Sequence, residues 1–213
     1  MLIADSITAG YGPQPVIREV DLQIGPGEIV GITGESGSGK TTLARTMAGL
    51  LTPTSGTVTV DGQSPRQARG TIAMVFQSPR AATNPHFTIA QIIAEPARIR
   101  RATVPDLTAL ATAVGLTPDL LDRRPHALSD GQLQRACLAR ALAQNPRYLI
   151  LDEATAMLDA ATTATIIRLV MTRAGDNLGV LLISHDEALL EAACTRIATM
   201  HEGALTTARA SPQ

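Results

Sequence analysis

Residues 34–41 read Gly-Glu-Ser-Gly-Ser-Gly-Lys-Thr and follow a short, mostly apolar run from Glu28 to Thr33. Beyond them Leu43, Met47, Leu50 and Leu51 recur at helical spacing. A loop of the pattern G-x-x-x-x-G-K-[ST] between a strand and a helix leaves few folds open. Its glycines let the backbone curl until successive N–H groups converge on phosphate oxygens. The helix start adds unpaired N–H groups and the positive end of its dipole. The loop therefore predicts a nucleoside-triphosphate site built by Gly34, Glu35, Ser36, Gly37, Ser38, Gly39 and Lys40, with Thr41 and Thr42 opening the helix. Lys40 is expected to reach the β- and γ-phosphates, and the Thr41 hydroxyl to bind Mg²⁺.

A metal site also needs a carboxylate at the end of a neighbouring strand, and Tyr148-Leu149-Ile150-Leu151-Asp152-Glu153 supplies one. Four nonpolar or aromatic residues would bury this strand on both faces and deliver Asp152 to its C-terminal edge, where such sheets bind ligands. Asp152 is the expected metal ligand, and Glu153 the group that polarises an attacking water. The surrounding pattern agrees. Val20, Leu22 and Ile24 alternate with polar residues as in a strand, Thr57 to Val60 reads as a strand closed by Asp61-Gly62, and Thr71 to Phe76 as another. From there no strand is evident until after Ser129. Thr88 with Gln91 resembles a capping box, Leu107, Leu110, Ala111 and Val114 make a helical stripe, and Thr117-Pro118 reads as a helix start. A helical insertion over approximately 78–130 is expected within a single domain of residues 1–213.

The last third alternates helix and strand. A helix opens at Ser129 with Leu133, Cys137 and Ala141 on one side, followed by the Tyr148 strand and a helix through Ile166, Ile167, Val170 and Met171. A strand at Val180 to Ser184, a short helix and a strand near Arg196 to His201 complete it, with the last half-dozen residues as a loose tail. Such alternation predicts a parallel sheet covered on both faces.

Composition narrows the setting. With 45% apolar and 17% charged residues the chain is not disordered, and a net charge of −1 gives no general attraction to nucleic acid or anionic lipid. Cys137 and Cys194 read as small core residues in a reducing cytosol rather than a disulfide or zinc framework. The start, Met1-Leu2-Ile3-Ala4-Asp5, has no basic region before its first acid, and no apolar stretch reaches the ~18 residues of a membrane span. A soluble intracellular protein is expected, one able to rest against a membrane protein. His86, His126 and His201 read as surface or structural residues.

Leu128-Ser129-Asp130-Gly131-Gln132-Leu133-Gln134-Arg135 resembles the LSGGQ signature and following QR of the ATP-binding cassette (ABC) family. Further similarities fall in the family's order. Tyr11 stands where an aromatic stacks on adenine, Gln77 matches the Q-loop glutamine, Ala156-Met157-Leu158-Asp159 resembles the D-loop, and His185 resembles the switch histidine. The resemblance implies a RecA-like P-loop core with a mostly parallel sheet, an N-terminal antiparallel β subdomain and a helical insertion. It implies two cassettes packed head to tail, each ATP held between one copy's phosphate loop and the other copy's Ser129, Gly131 and Gln132. Gln77 would reach the metal and the lytic water, His185 would orient that water, and Asp159 would cross the dimer interface. Asp130 departs from the pattern by replacing its first glycine, and is expected to face solvent or an arginine.

Phe76-Gln77-Ser78-Pro79, Thr83-Asn84-Pro85 and Ile92-Ile93-Ala94-Glu95-Pro96 are similar to the oligopeptide and nickel uptake subfamily. The chain stops soon after its last cassette strand, short of the extension common in that subfamily. The resemblance implies an ATPase subunit at the cytoplasmic face of the cell membrane, using ATP and Mg²⁺. Its implied partners are two integral membrane permease subunits, a second ATPase subunit and an extracytoplasmic solute-binding protein, with no nucleic acid. The solute would be a peptide, nickel or a metal chelate. The alternatives are a soluble ABC ATPase acting on DNA or ribosomes, and a small-molecule P-loop kinase. The first is disfavoured by the short span from Lys40 to Asp152 and by a single phosphate loop. The second leaves the signature, Gln77 and His185 without a role.

Overall fold

The computed structural model describes residues 1–210, apart from the side chains of 207–210. Strands β1 (Leu2–Ala9), β2 (Ile17–Ile24) and β4 (Ser55–Val60) form an antiparallel sheet in the order β2-β1-β4. Strands β3 (Ile29–Thr33), β5 (Ile72–Val75), β6 (Tyr148–Asp152), β7 (Gly179–Ile183), β8 (Arg196–His201) and β9 (Ala204–Ala210) form the larger sheet, ordered β5-β6-β7-β3-β8-β9. Its pairings are parallel except for the antiparallel β8–β9 hairpin. Helix α1 (Lys40–Met47) follows β3, whereas α2 (Ile89–Ile99), α3 (Leu107–Ala113) and α4 (Asp130–Leu142) lie between β5 and β6. Helices α5 (Ala160–Gly175) and α6 (Glu187–Ala193) flank β7 in sequence.

The near-continuous apolar runs of β6 and β7 are buried at every position, as a central strand covered on both faces requires. Alternate residues serve two cores. Leu149, Leu151, Val180 and Leu182 pack with Leu133, Cys137, Ile166 and Val170, while Ile150, Leu181 and Ile183 pack with Leu43, Met47 and the small sheet's Leu2, Ile7 and Ile24. Helix α1 is therefore enclosed, and the loop preceding it is anchored from beneath. Because β3, β5, β6 and β7 run parallel, their C-terminal ends at Thr33, Val75, Asp152 and Ile183 open on one edge. Whatever follows each strand is delivered there.

Three local expectations need correction. Leu50 and Leu51 lie outside α1, since Gly49 takes φ +73° and closes the helix with Gly49 N–H on Thr46 O and Leu50 N–H on Arg45 O. This is a Schellman stop, and it leaves Leu50 exposed. Thr117-Pro118 opens a 3-10 turn (Pro118–Leu120) without a side-chain cap rather than an α-helix. Within the expected loose tail, residues up to Ala210 belong to β9, held by pairing to β8; positions 211–213 lie outside the described residues.

Candidate active site

Helix α1 has no side chain capping its N-terminus, in contrast to α2, α3, α4, α5 and α6, which are capped by Thr88, Asp106, Ser129, Asp159 and Asp186. Its first-turn N–H groups, uncapped by any side chain, directly follow the 34–39 loop, an arrangement suited to an anion. Gly34 and Gly39 make the loop possible. They adopt φ of +141° and +110°, and a Cβ on Gly34 would collide with the carbonyl oxygen of Met200. Lys40 is buried, and its Nζ donates to the carbonyls of Gly34 at 2.8 Å and Glu35 at 2.7 Å. The lysine thus braces the loop that it closes. Burial lowers the Lys40 pKa, an effect opposed by the nearby charges of Glu153 and Asp152. Among the described residues Ser38 Oγ, in the same loop, is buried without a hydrogen-bond partner, a donor able to meet a phosphate oxygen. Glu35, Ser36 and Gly37 are exposed, and Thr42 is buried in α1.

Asp152, at the end of β6, is 2% exposed and accepts a 3.2 Å hydrogen bond from Thr41 Oγ1. Burial pushes its carboxyl above the usual range, although the Thr41 hydrogen bond works the other way. A buried carboxylate beside a hydroxyl offers hard oxygens, and a divalent cation there would favour the ionised form. The residues fit Mg²⁺.

Glu153 leaves the strand through a left-handed turn, φ +50°, with its N–H on Ile183 O at 3.1 Å. Such a conformation is costly for a non-glycine residue, and here it turns the side chain off the strand direction. Its carboxylate is held at both oxygens. Gln77 Nε2 donates to Oε2 at 2.7 Å, and His185 Nε2 lies 2.7 Å from Oε1. Gln77 follows β5 by two residues and His185 follows β7 by two, so sheet register brings both to Glu153. Gln134 Nε2 secures the approach to Gln77 by donating to Phe76 O at 2.9 Å.

Tyr11 is 60% exposed, with its hydroxyl accepting a 3.0 Å hydrogen bond from Arg45 of α1 and the guanidinium 5.8 Å from its ring centroid. Arg45 was not anticipated from sequence, for nothing in the spacing relates it to residue 11.

Ser129, Gly131 and Gln132 stand apart from this cluster. Ser129 Oγ accepts from Gln132 N–H, and the Gln132 side chain accepts from Ser129 N–H, a reciprocal cap of α4. Among the described residues, no hydrogen bond or ion pair joins these three to the phosphate loop. They border a groove of about 520 Å³ shared with Met157 and Asp159. Asp130 is paired, its Oδ1 accepting from Arg80 Nε at 2.6 Å. Arg80 is a second residue missed by sequence reasoning; 50 positions separate the two, and only folding brings them together.

Residues 17–156 match the ABC transporter family. The chain belongs to that family. This ABC cassette is 40% identical over 196 residues to the probable D,D-dipeptide transport ATP-binding protein DdpF of Escherichia coli (strain K12), covering 88% of this chain and 61% of DdpF. It is 39% identical over 203 residues to the nickel import ATP-binding protein NikE of Rhodospirillum rubrum, covering 88% of this chain and 73% of NikE. Among solved structures, the ATP-binding cassette MJ0796, in a dimeric post-hydrolysis state bound to ADP and Pi, superposes with a TM-score of 0.91. Its identity is 26%, over 100% of both chains. The ABC cassette fold expected from the motifs is the fold observed.

Proposed function

We propose that this ABC cassette is the ATP-binding and ATP-hydrolysing subunit of an importer, and that ATP-driven pairing of two cassettes moves solute through separate permeases. The observation that carries the reading is the assembly of Lys40, Thr41, Asp152, Glu153, Gln77 and His185 at one sheet edge, with Glu153 held between Gln77 and His185. In this reading the loop from Gly34 to Gly39, Lys40, Thr41 and Thr42 hold the triphosphate and Tyr11 stacks on the base. Thr41, Asp152 and Gln77 would hold Mg²⁺, which would supply positive charge to offset that of the phosphates. Glu153 accepts the proton of the attacking water, a role that needs the carboxylate within hydrogen-bond reach of that water. His185 and Gln77 fix its direction. Ser129, Gly131 and Gln132 complete the nucleotide cage of a second cassette, consistent with their separation from this chain's own loop.

Two permease subunits, a second cassette and a solute-binding protein are the proposed partners, at the cytoplasmic face of the membrane. The names of the DdpF and NikE relatives support a dipeptide or a nickel species as solute. Among the described residues no helix is long and apolar enough to cross a membrane, so the proposed route lies in other chains. Affinity isolation from gently solubilised membranes should recover two integral permease chains with this protein. Recovery of ribosomes or DNA instead would overturn the importer reading.

A further inference from the structure

We propose that Arg80 is a positioning residue that offsets the charge of Asp130 and holds the Ser129–Gly131 turn ready for the opposing copy's triphosphate. The inference rests on the reading of these residues as half of a shared nucleotide site. Asp130 occupies the first turn of α4, where a carboxylate suits the helix dipole. The same position sets a negative charge between Ser129 and Gly131, two of the three residues assigned to the opposing nucleotide. Left free, that carboxylate would repel the anion and compete with it for the helix end.

Arg80 answers both problems at once. Its Nε donates to Asp130 Oδ1 at 2.6 Å, while its two terminal nitrogens donate to Pro125 O at 3.3 Å and Leu128 O at 3.1 Å. One planar guanidinium thereby spans the chain entering α4 and the first residue of that helix, a geometry that lysine cannot reproduce. With each side chain about half exposed (51% and 46%), the pair adds little to folding stability. It acts where another copy closes over it and water is excluded, because charge interactions strengthen there.

The test uses the full chain carrying Glu153→Gln, so that ATP-bound dimers persist, with dimer affinity measured by sedimentation in ATP and Mg²⁺. Arg80→Ala should weaken the dimer more than tenfold, and Arg80→Lys should recover part of that loss. Asp130→Gly alone should change affinity less than threefold. Arg80→Ala combined with Asp130→Gly should recover only part of the loss, because the exposed charge is gone while the contacts to Pro125 O and Leu128 O remain missing. An unaltered Arg80→Ala dimer, a double variant as weak as Arg80→Ala, or a tenfold gain from Asp130→Gly alone would each overturn the proposal.

Amide hydrogen exchange over residues 126–133 of the nucleotide-free monomer provides a readout independent of ATP. Exchange should quicken at least tenfold in Arg80→Ala, and unchanged exchange would sink the positioning role. A parent that stays monomeric with ATP would instead sink the shared-site reading.

Discussion

Lys40 and Asp152 are buried at the edge of the large sheet, whereas Ser129 and Asp159 are exposed beside a groove. The first region finds its partners within the chain: loop carbonyls for Lys40, Thr41 for Asp152, Gln77 and His185 for Glu153. At the second, Ser129 and Gln132 satisfy one another beside the groove. In the proposed reading, the contrast separates chemistry prepared inside one fold from recognition that needs a second molecule. A buried carboxylate is costly to hold, so it must be fixed by strand and helix; an exposed helix start costs little and can wait.

Removing the metal should break the first region most severely. Chelation of Mg²⁺, or Asp152→Asn, should reduce ATP turnover on the order of 10³-fold or more, as the loss of several kcal/mol of charge stabilisation requires. The same substitution should raise the melting temperature of the metal-free protein at pH 7. Burial lifts the Asp152 pKa above its unfolded value, so the folded chain holds that proton more tightly and stability falls as pH rises out of the ordinary carboxylate range. The gain from Asp152→Asn should therefore shrink as pH is lowered toward about 4, which melting curves at several pH values would show.

Glu153→Gln comes next. Turnover should fall ~10²–10⁴-fold, the usual worth of a general base, while ATP still binds and the paired form accumulates. Loss of ATP binding in this variant would place Glu153 in the phosphate cradle rather than beside the water.

Ser129→Ala sharpens the contrast from the other side. Removing the cap should cost roughly 1 kcal/mol of stability. ATP affinity of the separate chain should stay within twofold, while ATP-driven pairing weakens on the order of tenfold. A large fall in monomer affinity, measured by fluorescent nucleotide titration, would merge the two regions.

The smallest effect belongs to the Tyr11 hydroxyl. Tyr11→Ala should weaken nucleotide binding by about tenfold, in line with the ~1–3 kcal/mol that aromatic stacking contributes per base. Tyr11→Phe keeps the ring but loses the Arg45 hydrogen bond, and should fall within threefold of wild type.

The residues most legible in the sequence are those whose chemistry depends on short spacing. The 34–41 loop, the apolar run before Asp152 and the Thr88/Gln91 cap each lie within a few residues of themselves, so local rules locate them. The alternation of short strands and helices gave the parallel sheet, because a buried strand must be apolar throughout. Strands β1 and β9 were less legible. Each depends on its neighbours' pairing rather than on its own pattern, and the Gly49 stop ended α1 before its apolar stripe ran out.

The amino-acid order by itself determined the phosphate loop, the acid that follows a buried strand, and the cassette family to which those motifs belong. Tertiary structure alone decided that Gln77 and His185 would grip the same carboxylate, that Arg45 would hold Tyr11, and that Arg80 would face Asp130. The physical reason is distance along the chain. Backbone geometry and apolar periodicity act over a few residues, whereas hydrogen-bond partners separated by 50 or 76 positions meet only after sheet register and helix packing have fixed where each loop ends.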